Sequence, residues 1–109
     1  MVNRSKAKGT SFESSLLPLL REYFPGAERR ALSGAKDKGD FILPGANYAL
    51  EAKNQKGTML GPWHKEAKVE AENLGVAFGV VVHKRHGMTD PAEQWVCLTL
   101  RDFLELTKQ

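Results

Sequence analysis

Two carboxylates, a lysine and an amide follow one another in the middle of the chain, as Asp40 and then Glu51, Lys53 and Gln55. The segment Pro44-Gly45-Ala46-Asn47 is typical of a turn between two strands. An antiparallel hairpin closed by this turn would place Asp40 directly opposite Glu51. Because side chains alternate along a strand, Lys53 and Gln55 point the same way as Glu51. The sequence therefore predicts one polar patch on an otherwise apolar hairpin.

Opposed carboxylates destabilise a strand pair, so Asp40 and Glu51 need a compensating charge. A divalent cation supplies it, and oxygen ligands favour Mg²⁺, with Mn²⁺ able to substitute. Such an ion polarises a phosphoryl oxygen and acidifies a bound water, while Lys53 positions that water or stabilises the developing charge. The residues thus suit a metal-dependent nuclease. The plainer alternative is a surface hairpin whose acids and lysine pair with one another.

The surrounding pattern predicts an α/β domain with a mixed sheet. A first helix opens on the capping-box pattern Thr10-Ser11-Phe12-Glu13 and carries an apolar stripe, although Pro18 lies inside it. A second helix runs from Pro62 to a C-terminal cap at Gly75. A short helix closes the chain. Strands are predicted at residues 28–32, 40–43, 48–54, 76–83 and 95–100.

Length and composition predict one globular domain over residues 1–109, with residues 1–9 as a flexible basic N-terminus. No apolar run approaches the roughly 20 residues that span a bilayer, so no membrane is expected. The N-terminus lacks the apolar stretch of a signal peptide, which indicates the cytoplasm, or the host cytoplasm if the source is viral. The single Cys97 excludes an internal disulfide and a multi-cysteine zinc site.

Basic charge is concentrated at the start of the chain. Residues 1–38 include eight basic and four acidic residues, whereas the remainder of the chain includes eight basic and nine acidic residues. Lysine and arginine contacts with phosphate supply most non-specific affinity for nucleic acid, so we interpret the excess as a DNA-binding surface. A merely solvated surface is the alternative. The residues assigned to DNA binding are Arg4, Lys6, Lys8, Arg29, Arg30, Lys36, Lys38 and Lys56.

Four other side chains are candidates for binding. Trp63 and Trp95 could stack on bases, but each lies in an apolar pattern that favours core packing. His83 and His86 lack a third ligand at a suitable spacing, so a basic edge, solvated or touching phosphate, is favoured over a metal site. The glycine-bearing loop at residues 33–39 does not have the residue spacing of a phosphate-binding P-loop. No small-molecule cofactor is expected.

Several short motifs together resemble the PD-(D/E)xK nuclease superfamily, and within it the archaeal-type and phage Holliday junction resolvases. The resemblance covers residues 8–84. It implies a restriction-endonuclease-like domain with a central mixed five-stranded sheet flanked by helices. The matching motifs, in chain order, are Lys8–Glu13, Ser33-Gly34, Gly39-Asp40 and Glu51–Gln55.

The resemblance also implies roles for individual residues. The catalytic set is Glu13, Ser33, Asp40, Glu51, Lys53 and Gln55. The Mg²⁺ ligands are Glu13, Asp40, Glu51 and the backbone carbonyl of Ala52. Lys53 serves the attacking water. A capping role for Glu13 is compatible with this one, and Ser33 fits a plain turn residue equally well.

The substrate implied by the resemblance is a four-way DNA junction. A homodimer would make the paired cuts, because two symmetrically related strands must be cleaved. Contacts with the DNA backbone imply little sequence preference. Two alternatives stay open: a repair- or restriction-like nuclease of the same fold that acts on duplex or flaps, and a non-catalytic nucleic-acid-binding module.

Overall fold

The computed structural model describes residues 4–31 and 37–109, with side chains from Lys8 onward, and confirms an α/β architecture over these residues. A 3₁₀ turn, Pro91–Glu93, precedes the last strand. The helices and strands, in chain order, are α1 (Arg4–Tyr23), β1 (Glu28–Arg29), β2 (Phe41–Ile42), β3 (Tyr48–Lys53), α2 (Leu60–Leu74), β4 (Phe78–His83), β5 (Trp95–Cys97) and α3 (Leu100–Thr107).

The strands of the described segments form two sheets. In one, β1 pairs antiparallel with β2, and Arg29 lies opposite Phe41. In the other, β4 lies between β3, to which it is parallel, and β5, to which it is antiparallel. The prediction of a central five-stranded sheet is therefore wrong. The two-residue strands β1 and β2 pair with each other and do not extend the ladder of β3.

The predicted hairpin register is also wrong. The turn at 44–47 does form, with Ala46 N donating to Leu43 O, but the strands on either side of it have other partners. Glu51 lies opposite Val81 of β4 rather than opposite Asp40. Strand β4 occupies one edge of β3, and at the other edge Asp40 N donates to Leu50 O, which sets Asp40 beside Leu50 instead of opposite Glu51.

Helix α1 begins at Arg4, before the predicted start at Thr10, so residues 4–9 of the proposed flexible N-terminus are helical. The Thr10–Glu13 capping box is consequently not at the helix start. Pro18 is exposed and α1 continues through it to Tyr23. Helix α1 covers one face of β3 and β4 through a buried cluster. Its members are Phe12, Leu16, Phe41, Leu50, Val80 and Val82.

Helix α2 packs on the opposite face of the sheet, where Trp63 and Ala67 contact Val81. A Cβ atom at Gly79 would lie 2.2 Å from the carbonyl oxygen of Ala67, so only glycine permits this approach. Gly75 ends α2 in the left-handed conformation, which confirms the predicted cap. Since side chains alternate along β3, the positions flanking Leu50 face α2.

The β5–α3 end of the chain exposes apolar side chains. Trp63 is buried as predicted, but core packing is wrong for Trp95, which is 50% exposed and has the Arg85 guanidinium 4.5 Å from its ring centre. Leu100 and Phe103 of α3 are also exposed. Across the described residues, no helix combines the length and hydrophobicity needed to cross a membrane.

Candidate active site

Asp40 is held against β3 by two hydrogen bonds. Its amide donates to Leu50 O at 3.0 Å, and its Oδ2 accepts from Ala52 N at 2.7 Å. Burial raises the pKa of the Asp40 carboxyl, and the bond from Ala52 N opposes this rise. The Asp40 side chain thus lies beside the carboxyl end of β3, although no hairpin ladder places it there.

Glu13 approaches Asp40 from α1. Burial and the neighbouring Asp40 carboxylate raise the pKa of Glu13 to about 7, against the opposing charge of Arg29. The Arg29 Nη2 atom lies 3.4 Å from Glu13 Oε2. The structure therefore brings together Glu13 and Asp40, two of the carboxylates assigned to the metal from the sequence.

Glu51 is almost fully enclosed, with 6% of its surface exposed. Burial, contact with Glu70 and the charge of Asp40 raise the pKa of its carboxyl to about 11. Its Oε2 receives no hydrogen bond within the described part of the chain. A carboxyl group in this position is stable only when it is protonated or lies beside a cation.

Lys53 points the same way as Glu51, as alternation along the strand predicts. Its Nζ lies 3.5 Å from Glu51 Oε1 and 2.8 Å from Glu66 Oε2 of α2. Burial alone would lower the pKa of Lys53, but these two carboxylates outweigh it and raise the pKa. Lys53 is therefore a fixed ammonium, which suits stabilisation of negative charge better than removal of a proton from water.

Helix α2 contributes two carboxylates that the sequence analysis did not include. Glu66 and Glu70 are one turn apart and both face β3. Glu70 is 1% exposed, and burial raises its pKa to about 7. Four acids, Asp37, Glu51, Glu66 and Glu70, each bring one oxygen within 4.8 Å of the others and could hold a metal ion.

The sequence does contain a signal for Glu70. It follows Ala67 by three positions and precedes Leu74 by four, so it lies on the same helical stripe as the apolar residues of α2. A carboxylate on an apolar stripe is a candidate for a buried functional group. Pro62, Gly75 and the apolar residues between them predicted this helix, and Glu70 had no part in that prediction.

The remaining predicted site residues differ in how close they lie to the carboxylates. The side chain of Gln55 is exposed, and its backbone carbonyl contacts His86 Nε2 at 3.0 Å. Ala52 donates its amide to Asp40, and its carbonyl points to the same side of β3 as that of Leu50. Ser33 lies outside the described residues.

The predicted DNA-binding residues fall into three groups. Lys8, Lys38 and Lys56 are exposed. Arg29 pairs with Glu13, whereas Arg30 is partly buried and its Nη2 donates to Phe41 O at 3.4 Å. Lys36, and the side chains of Arg4 and Lys6, lie outside the described part of the chain.

No family model matches the chain, and no curated protein or solved structure matches it. The arrangement of side chains is therefore the basis for assigning a function. That arrangement consists of carboxylates beside a charged lysine, with buried oxygens that receive no hydrogen bond from the described residues. Such donors suit a hard divalent cation, because Mg²⁺ and its relatives prefer carboxylate oxygen.

Proposed function

We propose that this protein is a Mg²⁺-dependent endonuclease that cleaves phosphodiester bonds in four-way DNA junctions. The observation that carries the proposal is the buried carboxylate of Glu51, which lies beside Asp40 and 3.5 Å from Lys53. This combination would set the ligands of a cation next to a fixed positive charge. Both are useful for phosphodiester hydrolysis, because the reaction builds negative charge on phosphate oxygens.

Each residue has a distinct task in this proposal. Asp40 and Glu51 bind Mg²⁺, with Glu13 and the Ala52 carbonyl as further oxygen donors. The bound ion supplies Lewis acidity and a water of lowered pKa. The Lys53 ammonium stabilises the charge that develops on the phosphate. Gln55 and Ser33 orient the phosphate or the water.

Exposed lysines provide for contact with the DNA backbone. Lys38 directly follows Asp37, and Lys56 lies in the loop after β3, so both are on segments that border the carboxylates. Lys8 is exposed on α1. Contacts of this kind fix the position of the DNA without reading its sequence. The preference for branched DNA in recombination or repair depends on the family resemblance alone.

A homodimer is part of the proposal, because resolution of a junction needs two cuts. Strand β5 is an edge strand of its sheet, and α3 follows it directly in the chain. The apolar side chains exposed there offer a surface for a second copy of the chain. Its members include Trp95, Val96, Leu100, Phe103 and Leu104. Sedimentation of the protein and of Phe103→Glu, which should be monomeric, checks this part of the proposal.

Cleavage assays on matched substrates test the function. A four-way junction, a linear duplex and a flap of the same sequence are incubated with the protein in Mg²⁺ or in EDTA. We expect paired, Mg²⁺-dependent nicks at the junction, lost in Glu51→Gln and kept in Glu72→Gln, an exposed acid of α2.

Other outcomes of the same assay separate the alternatives. Equal cutting of duplex or flap would indicate a repair- or restriction-like nuclease. Binding of DNA without cleavage would indicate a non-catalytic module. Full activity of Glu51→Gln would contradict the assignment of the active site.

A further inference from the structure

Glu70 has no task in the proposed catalytic set, yet it is among the most buried side chains of the protein. It is 1% exposed, its carboxyl lies against that of Glu51, and no other described residue donates a hydrogen bond to Oε1 or Oε2. Oε2 of the neighbouring Glu51 is a third buried oxygen to which no described residue donates a regular hydrogen bond. Buried carboxylate oxygens are nearly always satisfied by a donor or a cation. Glu70 therefore points to a ligand.

The spacing of the surrounding oxygens fits a single cation. One oxygen from each of Asp37, Glu51, Glu66 and Glu70 lies within 4.8 Å of the other three. Two ligands on opposite sides of Mg²⁺ are about 4.2 Å apart, and on opposite sides of Ca²⁺ about 4.6–5.2 Å. A hard divalent ion could therefore contact all four carboxylates after only small adjustments.

The charges of the cluster are unbalanced. Lys53 contacts Glu51 and Glu66, but no ion pair with a described residue involves Asp37 or Glu70. Four carboxylates therefore share one ammonium group. A divalent ion would remove most of the remaining repulsion, because its charge lies among the oxygens rather than beside them.

The backbone of residues 37–39 packs closely beside Glu70. Asn73, one turn further along α2, donates to Asp37 O at 2.8 Å and holds that loop against the helix. Gly39 has a positive φ of 94°, and a Cβ there would lie 3.4 Å from Glu70 Oε2 and 3.1 Å from Leu50 O. A side chain at position 39 would be strained at this φ and would press against Leu50 O, so glycine keeps this backbone close to Glu70.

We propose that Asp37, Glu51, Glu66 and Glu70 form a second divalent-cation site, separate from the Glu13–Asp40 position. Glu51 is shared between the two sites. The proposal rests on the proposed function only in that Glu51 also serves catalysis, since binding of a cation can be measured without DNA. The ion class is Mg²⁺ or Mn²⁺, which carboxylate oxygens favour.

A titration of the full chain with Mn²⁺ tests the site, with free Mn²⁺ measured by electron paramagnetic resonance. Wild type should bind two ions. Glu70→Gln should lose one of them, with affinity lowered by at least about tenfold. Glu13→Gln should lose the other, and Glu72→Gln should bind as wild type. Glu66→Gln provides the same comparison if Glu70→Gln does not fold, because Glu66 is partly exposed.

Two results would overturn the second site. One is Mn²⁺ binding by Glu70→Gln that equals wild type in stoichiometry and affinity. The other is an equal rise of the thermal midpoint on addition of Mg²⁺ in wild type and in Glu70→Gln. That result is expected if Glu51 and Glu70 merely share a proton.

DNA cleavage by the same preparations separates this inference from the proposed function. If the protein binds two ions but does not cleave DNA, the proposed nuclease function is wrong and the second cation site stands. If the protein binds one ion and Glu70→Gln does not change its cleavage of DNA, the second cation site is wrong and the nuclease function stands.

Discussion

Lys53 Nζ is closer to Glu66 on helix α2, at 2.8 Å, than to Glu51 on its own strand, at 3.5 Å. The lysine of the proposed active site is therefore oriented by a helix that follows it in the chain. Glu66 acts as a positioning residue, since it fixes the ammonium group next to Glu51 and helps to keep it charged.

Replacement of Lys53 by methionine should separate catalysis from folding. We expect the cleavage rate to fall by about 10²–10³-fold, because the charge on the phosphate loses its stabilising ammonium. The free energy of unfolding without metal should fall by about 1–3 kcal/mol, since Glu51 and Glu66 lose their shared partner. Single-turnover cleavage and urea unfolding measure the two effects. Lys65→Met, at an exposed position of α2, is the matched control and should change neither.

Glu51→Gln should have opposite effects on activity and on stability. Cleavage should be abolished, because a proposed metal ligand is lost. In EDTA at about pH 8, the free energy of unfolding should rise by about 1–3 kcal/mol, since the wild-type carboxyl, with its pKa raised to about 11, must take up a proton on folding, whereas the neutral amide need not and can donate to Glu70. Urea unfolding with and without Mg²⁺ measures this. If the metal-free variant were less stable than the metal-free wild type, the interpretation that the buried Glu51 carboxyl destabilises the fold would be contradicted.

Stability of the metal-free protein should decrease as the pH rises. The pKa values of Glu13 and Glu70 are raised from 4.5 to about 7, so the folded state keeps protons that the unfolded state releases between these values. Stability then falls with rising pH over this window, and the raised pKa of Glu51 extends the fall towards about pH 11. Burial lowers the pKa of His83, which acts in the opposite sense near its ordinary value of 6.5.

Urea midpoints in EDTA from about pH 5 to about pH 8 check this pH dependence. Glu70→Gln should flatten the curve, and Mg²⁺ should restore stability at the alkaline end. A midpoint that rises steadily with pH in EDTA would show that these carboxylates are not destabilised in the folded protein.

Gly79→Ala should destabilise the contact between α2 and β4. The new Cβ would lie 2.2 Å from Ala67 O, so the helix must move away from the sheet. We expect a loss of about 1–3 kcal/mol in the free energy of unfolding. Cleavage should fall as well, because Glu66 and Glu70 move with α2. Gly61→Ala is the matched control: Gly61 lies in the first turn of α2 with open space around it, and alanine should be neutral or slightly stabilising.

Local rules predicted the features of the site that lie within one helix or strand. Alternation along β3 correctly placed Glu51 and Lys53 on one side, because neighbouring side chains of a strand are related by geometry alone. The cap of α2 at Gly75 was predicted for a similar reason, since a positive φ favours glycine. The α/β character also follows from the spacing of apolar residues.

Tertiary structure decided which segments became neighbours. The turn at 44–47 forms, but β4 pairs with β3 along its whole length, whereas the segment before the turn reaches the other edge of β3 through the backbone and side chain of Asp40. The same packing brought Glu66 and Glu70 to Glu51, although they are distant from it in the chain. Which strand pairs with β3, and which helix covers it, depends on the burial of the whole domain. The sequence by itself therefore placed Glu51 and Lys53 on one side of their strand, whereas only the folded chain determined the carboxylates that surround them.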